Sequence, residues 1–194
     1  MPQLILASAS PYRQALLQRL GLDFEVHPSY LDESARQGEH PKALAKRLAS
    51  DKARSITIPD ALVIAADQVA ILGEKLLRKP RDHATALQQL VKCQGQTALF
   101  YTATTVMNQS SGQLWEGLDE TRVRFLSLKE AQLDQYLKLE QPYDCAGGFK
   151  AEGLGISLLE TIECTDPTAL LGLPLIWLVG VLRTVGLDPL EPSL

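Results

Sequence analysis

The chain has 194 residues, of which 45% are apolar and 22% are charged, and its formal net charge is −4. This length suits one globular domain with a well-filled core, and the composition argues against a disordered or fibrous protein. The acidic balance argues against a nucleic-acid binder, which needs a basic excess to neutralise phosphates. A small phosphate ligand remains compatible, because a few converging cations are enough to hold it.

Cysteine usage and hydropathy indicate the compartment. The three cysteines are scattered and lack C-x-x-C spacing, which argues against a disulfide framework or zinc ribbon and favours a reducing, cytoplasmic setting. The apolar run at residues 4–7 is too short for a signal-peptide core. Residues 169–182 are apolar but are interrupted by Gly172 and Pro174, so they fall short of a membrane span. We therefore expect no membrane association.

The first elements have clear start and stop signals. Residues 2–7 are short and apolar, which predicts a buried strand. Ser10 is a natural cap for a helix that begins at Pro11, and Gly21 is a natural stop. Residues 24–26 predict a second short strand.

The rest of the chain alternates between strand-like and helix-like patterns. The predicted elements are a polar loop over 28–40, a helix over 41–56, a buried strand over 61–66 ending at Asp67, a helix capped by Asp82 and running through Val91, an antiparallel pair over 97–107 and 114–125, a helix capped by Ser127 and Glu130 and running through Leu139, a strand over 156–162 and a helix over 174–185. Early alternation followed by an antiparallel pair predicts an α/β fold with a mixed sheet.

Several well-known catalytic motifs are absent from the sequence. It contains no P-loop, no G-x-G-x-x-G, no H-E-x-x-H and no G-x-S-x-G elbow. Its three histidines have no tight spacing. A zinc site or a Ser-His triad is therefore disfavoured.

Residues 8–13 (SASPYR) stand at a predicted strand-to-helix junction. The N–H groups and dipole of a first helical turn favour phosphate. The hydroxyls of Ser8 and Ser10, with Arg13, would complete an anion cradle. From these residues alone, a plain helix cap with a surface arginine is the simpler alternative, since Ser-Pro caps are common.

Two acidic positions are candidates for catalysis or metal binding. Asp67 follows the buried strand, and ligands of open α/β sheets gather beyond the carboxyl ends of strands. Glu33, next to Asp32 in the polar loop, offers carboxylate oxygens that suit Mg²⁺. A turn aspartate and a solvated acidic loop are the alternatives that these residues leave open.

Three lysines are candidate phosphate ligands. Lys52 lies on the second predicted helix, Lys79 precedes a proline, and Lys150 lies in a glycine-rich segment over residues 147–155. Glycines let a backbone approach a ligand closely, although a structural turn explains them almost as well. Each lysine taken singly is compatible with an ordinary surface position.

Together, and in this order, these motifs resemble those of the Maf family of nucleotide pyrophosphatases. The matching positions are residues 8–13, Asp32-Glu33, Lys52, Asp67-Gln68-Val69, Lys79-Pro80, the spaced set Tyr136, Glu140, Pro142, Asp144, Ala146 and Gly147, and Gly172-Leu173-Pro174. They cover nearly the whole chain. The resemblance implies a Maf/ITPase-like fold in a single domain over residues 1–194: a mixed twisted sheet flanked by helices, with two lobes around a cleft.

Two departures from the family pattern shift the expected substrate. Tyr12 replaces the first arginine of a double-arginine motif, and Gln68 stands where many members have threonine. With Glu152 they resemble the branch that prefers 7-methyl-GTP over dTTP and UTP. Chemistry also favours this branch: a carboxylate can accept the N1–H and N2–H groups of guanine, and an aromatic face attracts the N7-methylated, cationic base by roughly 0.5–2 kcal/mol.

The resemblance implies that water attacks the α-phosphorus of 7-methyl-GTP, giving 7-methyl-GMP and pyrophosphate in the cleaning of the nucleotide pool. Asp67 would be the general base and would share a Mg²⁺ or Mn²⁺ with Glu33. The residues expected to bind substrate are Ser8, Ser10, Arg13, Lys52, Lys79 and Lys150. Tyr12, Gln68 and Glu152 would select the base. The resemblance also implies a homodimer.

Three alternatives remain open from the sequence. The same hydrolysis could act on dTTP, UTP or noncanonical triphosphates, which a substrate panel separates. A nucleotide-binding regulator of cell division would bind without turnover, although pure binding does not need a positioned base such as Asp67. An unrelated α/β domain would require all the ordered motif matches to be coincidental.

Overall fold

The computed structural model describes residues 2–191. The helices are α1 (Pro11–Gln18), α2 (Pro41–Arg54), α3 (His83–Cys93), α4 (Glu130–Glu140) and α5 (Leu175–Thr184). The strands are β1 (Gln3–Leu6), β2 (Glu25–Val26), β3 (Ala61–Leu72), β4 (Lys75–Leu77), β5 (Thr97–Asn108), β6 (Leu114–Phe125) and β7 (Leu159–Glu163). Of these elements, only β4 had no counterpart among the predicted ones.

The strands form one mixed sheet in the order β2-β1-β3-β5-β6-β7, with β4 paired to β3. Strand β1 runs parallel to both β2 and β3, whereas the β3–β4 and β6–β7 pairs are antiparallel. The predicted α/β class with a mixed sheet is confirmed.

The chain divides into two compact units. Among the described residues, the first unit comprises 2–68, 102–119 and 166–191, and the second comprises 69–101 and 120–165. Two lobes were predicted, and two units are found. The cleft and the single functional domain stay predictions.

The core of the first unit explains where its polar residues point. Successive side chains of a strand face opposite sides of the sheet. Even-numbered residues of β1 and β3 pack with α1 and α5, in a cluster that includes Leu4, Leu6, Leu62, Ile64, Leu16, Leu178 and Leu182. Odd-numbered residues of the same strands pack against the end of α2, in a cluster that includes Ile5, Val63, Ala65 and Ala53. The same alternation turns Asp67 toward α2 and Gln68 toward the opposite face.

The second unit has an aromatic centre. Phe149 makes edge-to-face contacts with Phe100 and Phe125, at ring-centroid distances of 5.5 Å and 5.4 Å. Such pairs contribute beyond their buried area. Phe149 thereby fixes the chain immediately before Lys150, one of the predicted site residues.

Strand β3 differs from its prediction. It was expected to end at Asp67, but it continues to Leu72 and turns at Gly73 into β4. A buried carboxylate does not terminate a strand when it has a charged partner, and Asp67 has one in Lys52. The apolar residues that follow then extend the strand. Asp67 therefore lies within β3 rather than beyond its end.

Two other boundaries were also wrong. The predicted capping box of Ser127 and Glu130 is absent because α4 begins only at Glu130, with Lys129 as its cap residue. The Lys129 N–H instead donates to the Gln132 side chain at 3.0 Å. The strand predicted over 156–162 begins later, at Leu159, because Leu154–Leu158 forms a 3-10 turn.

The apolar stretch near the C-terminus is folded as predicted. Gly172, at a φ of 105°, ends a 3-10 turn over Ala169–Leu171, and Pro174 caps α5. Helix α5 has only 10 residues. Within residues 2–191, no helix is long and apolar enough to cross a bilayer.

Candidate active site

The Ser8–Arg13 junction forms as a capped helix start. The Ser10 hydroxyl accepts the Arg13 N–H at 3.4 Å, as the cap of α1. The buried Ser8 hydroxyl accepts the Ser10 N–H at 3.2 Å. A hydroxyl that accepts a hydrogen bond still has its own proton to donate. The predicted cap at Ser10 is therefore confirmed, whereas Arg13 is half-buried rather than a surface arginine. Both hydroxyls keep a proton that they can donate to a phosphate.

Arg13 is fixed from two sides. Its Nε donates to the Gly172 carbonyl at 2.9 Å, and its Nη1 donates to the Ser8 hydroxyl at 3.3 Å. A Cβ at Gly172 would lie 3.4 Å from Arg13 Nε, and the φ of 105° is one that other residues avoid. Burial lowers the pKa of the Arg13 guanidinium, while the negative charges of Asp67 and Glu33 act to raise it. The arginine is thus a pre-positioned cation.

Gln68 contacts the turn that holds Arg13. Its side-chain nitrogen donates to the Thr102 hydroxyl at 2.9 Å and lies 3.1 Å and 3.0 Å from the carbonyl oxygens of Ala169 and Leu170. An amide nitrogen has two hydrogens, so these acceptors take up its donor capacity. A role of Gln68 in base selection would then act through its side-chain oxygen or through the position of this turn.

Lys52 joins the two predicted acidic residues. Its Nζ lies 2.6 Å from Asp67 Oδ1 and 2.6 Å from Glu33 Oε1. The side chains of Lys52 and Asp67 are 8% and 9% exposed, whereas that of Glu33 is 59% exposed. The structure therefore brings a base candidate, a cation and a second carboxylate together at one point, with Asp67 and Lys52 shielded from water.

The surroundings of Asp67 tune its acidity. Burial raises the pKa of the Asp67 carboxyl above its ordinary value, and the charges of Lys52 and Arg13 oppose that rise. A carboxylate with a raised pKa takes a proton from water more readily than an exposed one. The positive charges of Lys52 and Arg13 favour the ionised form of the group, which a base requires.

The acidic pair fits a divalent cation. Glu33 and Asp67 direct one carboxylate oxygen each at the same Lys52 nitrogen, so they already converge on a single positive centre. Mg²⁺ commonly uses one or two carboxylates, with substrate phosphates and water completing its shell. Within residues 2–191, no group of three or more His, Cys, Asp or Glu side chains is placed to hold a metal. Two carboxylate oxygens therefore suit an ion whose other ligands come from the phosphates of a nucleotide and from water.

In the second unit, Lys79 and Lys150 lie on adjoining segments. Lys79 is exposed between β4 and α3. The Gly147 N–H donates to the carbonyl of Arg78 at 3.3 Å, which ties the two segments together. A Cβ at Gly148 would lie 3.5 Å from Pro80, so a small residue suits this approach.

Glu152 lies at the corner of a tight turn. The Gly153 N–H donates to the Lys150 carbonyl at 3.2 Å, which places Ala151 and Glu152 at the two central positions. Glu152 is exposed there. In the first unit, the third predicted base selector, Tyr12, is half-buried in the first turn of α1.

Some residues that shape the site had no predicted role. The Gly172 carbonyl that holds Arg13 and the Thr102 hydroxyl that binds Gln68 come from distant parts of the chain. Tyr136 and Glu140 accept hydrogen bonds from the two ends of the segment that carries Glu152. Their signal was present in the Y-x-x-x-E spacing, which places two polar side chains one helical turn apart on one face.

Known proteins resemble this chain over most of its length. A family model described as Maf-like protein matches residues 3–185. A 7-methyl-GTP pyrophosphatase of Nitrosococcus oceani is 48% identical over 187 residues, which cover 95% of this chain and 94% of the relative. One of Xanthomonas axonopodis pv. citri is 50% identical over 188 residues, covering 96% and 98%. One of Cupriavidus metallidurans is 48% identical over 187 residues, covering 95% and 94%. Because the family model and these relatives both match almost the whole chain, the chain belongs to the Maf-like protein family.

Proposed function

We propose that this protein hydrolyses 7-methyl-GTP to 7-methyl-GMP and pyrophosphate. The observation that carries the proposal is the buried Asp67, held by Lys52 beside Glu33, in a chain whose relatives bear the name 7-methyl-GTP pyrophosphatase. A shielded carboxylate with nearby cations suits the activation of water next to a polyphosphate. Phosphoryl chemistry depends mainly on positioning and electrostatics, and this arrangement offers both.

Asp67 acts as the general base in this proposal. It removes a proton from a water molecule as the water oxygen attacks the α-phosphorus. The bond from the α-phosphorus to the oxygen bridging to the β-phosphorus breaks, and pyrophosphate leaves with the bonding electrons. Positioned general bases are typically worth about 10²–10⁴-fold in rate.

Cations bind the triphosphate and neutralise the leaving group. Arg13 is held in place by the Gly172 carbonyl and the Ser8 hydroxyl, which accept hydrogen bonds from its guanidinium. The serine hydroxyls and the helix start beside it add neutral donors for phosphate oxygens. Lys52, Lys79 and Lys150 supply further positive charge.

Glu33 and Asp67 would hold a divalent cation, Mg²⁺ or Mn²⁺. Such an ion, when bound, supplies positive charge that draws electron density from the phosphate oxygens. The chain's own contribution is to hold two carboxylate oxygens at one point. Lys52, once released from these oxygens, is available to a phosphate group.

Glu152, Tyr12 and Gln68 select the base in this proposal. The Glu152 carboxylate accepts the N1–H and N2–H groups of guanine, which dTTP and UTP lack in that arrangement. The methylated base is cationic, so the carboxylate and the Tyr12 ring both favour it over GTP. Gln68 orders the turn that holds Arg13.

The test is pyrophosphate release by the purified protein with Mg²⁺ or Mn²⁺ across 7-methyl-GTP, GTP, dTTP, UTP, CTP and ITP. We expect the highest kcat/KM for 7-methyl-GTP, and no turnover after chelation of the metal. A preference for dTTP or UTP would retain the reaction and reject the base selection. Nucleotide binding without turnover would support the regulator alternative.

We also propose that residues 1–194 act as one domain, in a homodimer in the cytoplasm. The proposal follows from the family and from the scattered cysteines, of which Cys145 and Cys164 have some solvent access. Sedimentation equilibrium at micromolar concentration tests the dimer, and fractionation of cells tests the compartment. A monomer at all concentrations would reject the proposed homodimer.

A further inference from the structure

Two side chains of α4 hold both ends of the turn that carries Glu152. The Tyr136 hydroxyl accepts the Lys150 N–H at 3.0 Å, at the start of the turn. The Glu140 Oε2 accepts the Leu154 N–H at 2.7 Å, just after its end. Tyr136 and Glu140 are four residues apart, so they lie on the same face of α4. The helix therefore clamps a five-residue segment through main-chain hydrogen bonds.

Glu140 makes the closer contact with this segment. Its Oε1 lies 3.4 Å from Lys150 Nζ, and its side chain is only 17% exposed. A Cβ at Gly153 would lie 2.6 Å from that same oxygen, so the carboxylate packs directly on the backbone of the turn. Hydrogen bonds to a charged acceptor are about twice as strong as neutral ones. The Glu140 carboxylate thus contacts this segment at three places: the Leu154 N–H, the backbone of Gly153 and the Lys150 ammonium.

The turn itself has little freedom once it is clamped. The Lys150 carbonyl accepts the Gly153 N–H, and a Cβ at Gly155 would lie 2.4 Å from that carbonyl oxygen. Glu152 is exposed at the corner, so the backbone of the turn sets where its carboxylate starts. A group that fixes this backbone therefore determines the position of Glu152.

We propose that Glu140 is a positioning residue for base selection, and that it acts through the turn of Glu152 without touching the nucleotide. The inference rests on the proposed function for the identity of the base. It assigns the two acidic residues separate tasks: Glu152 contacts the base, and Glu140 holds Glu152 in place.

A double-mutant cycle tests the proposal. The ratio of kcat/KM for 7-methyl-GTP to that for dTTP is measured in the wild type, Glu140→Gln, Glu152→Gln and the double variant. The ratio cancels any effect that Glu140 exerts on phosphate binding through Lys150. We expect Glu140→Gln alone to lower the ratio about tenfold, and to have no further effect once Glu152 is replaced.

Two further variants separate positioning from loss of fold. Asp134→Asn removes a carboxylate from the same helix, one that pairs with His83 and Lys138, so it controls for helix damage. Its ratio should stay at the wild-type value. Tyr136→Phe removes only the acceptor at the other end of the turn, and should lower the ratio in the same non-additive way as Glu140→Gln. Melting temperatures are recorded for all variants.

The outcomes distinguish this inference from the proposed function. Fully additive effects of Glu140→Gln and Glu152→Gln, or equal losses for both substrates, would overturn the positioning role. If the wild type prefers another nucleotide, the base assignment fails, and the cycle is repeated with the two best substrates. If the wild type releases no pyrophosphate, the cycle is run on calorimetric dissociation constants for 7-methyl-GTP and dTTP, with the same non-additivity expected.

Discussion

The two units of this protein hold their candidate site residues in different ways. In the first unit, Asp67, Lys52 and Glu33 hold one another through side-chain ion pairs, and two of the three are buried. In the second, Glu152 is exposed on a turn whose main chain is held by Tyr136 and Glu140. A buried charge network is costly to disturb, because removing one charged partner leaves the opposite charge buried without compensation. A clamped turn can exchange its exposed side chain at little cost. We infer that the proposed base, Asp67, belongs to the arrangement that tolerates little change, and that one of the proposed base selectors, Glu152, belongs to the arrangement that tolerates more.

The largest effect is expected at Asp67. Asp67→Asn should lower kcat by roughly 10²–10⁴-fold with the fold retained, because it removes the base while Lys52 keeps Glu33 as a partner. Pyrophosphate release and circular dichroism measure the two properties. Asp51→Asn, on the same helix as Lys52, is the matched control and should turn over normally. Near-normal turnover by Asp67→Asn would remove Asp67 from the base role.

A smaller effect, on selectivity alone, is expected at Glu152. Glu152→Gln should lower kcat/KM for 7-methyl-GTP by about 10–100-fold. The glutamine amide has only one acceptor oxygen, so either the N1–H or the N2–H group of the base loses its partner. Turnover of dTTP should be unchanged. Glu163→Gln, on the edge strand β7 with a 71% exposed side chain, serves as the control. A parallel loss for both nucleotides would mean that Glu152 acts on the phosphates or on the fold.

A modest effect is expected at Gly172. Gly172→Ala forces a side chain into a φ of 105° and into contact with Arg13, so we expect a melting temperature lower by several degrees. The KM should rise for every triphosphate alike, because Arg13 loses its fixed position. Gly180→Ala, where a Cβ would meet nothing within 4 Å, is the control. An unchanged KM would show that Arg13 does not depend on this carbonyl.

The smallest effect is a shift in pH dependence. Because burial raises the pKa of Asp67 above the ordinary value of 3.8, the wild-type rate should fall on the acid side at a higher pH than an exposed aspartate would give. The charge of Lys52 lowers the pKa of Asp67, so Lys52→Gln should move this limb to still higher pH in its residual activity. Lys46→Gln, exposed on the same helix, should leave the limb in place. A limb that moves to lower pH in Lys52→Gln would contradict the pairing.

Local patterns predicted most of the fold. The cap at Ser10, the cap at Asp82 and the apolar run at 61–66 depend on neighbours in sequence, and all three are found. The end of β3 was misplaced because a charged residue normally marks an edge, and its partner Lys52 lies on another element. Whether a carboxylate is paired cannot be deduced from the strand that carries it.

The candidate site was predicted unevenly for the same reason. Residues that bear chemistry, such as Arg13 and Asp67, stand out by type and by motif. Two other residues make contacts that involve the main chain: the Gly172 carbonyl accepts from Arg13, and the Glu140 carboxylate accepts from the Leu154 N–H. Such residues are recognised only when the fold brings their partners to them. Their motif positions were visible, but the physical reason for them was not.

Lys52 between Glu33 and Asp67 has a consequence for how the site admits ions. The ammonium group of Lys52 already serves as the counterion of both carboxylates. Because Lys52 is part of helix α2, this ammonium is always close to them, at a high effective concentration. In the proposed metal site, a free cation must displace this ammonium from the two carboxylates, so we expect weakly bound ions such as K⁺ to be excluded. A polyphosphate offers the ammonium a new anionic partner and thereby weakens the competition. On this basis, metal and nucleotide should bind cooperatively, each more tightly in the presence of the other.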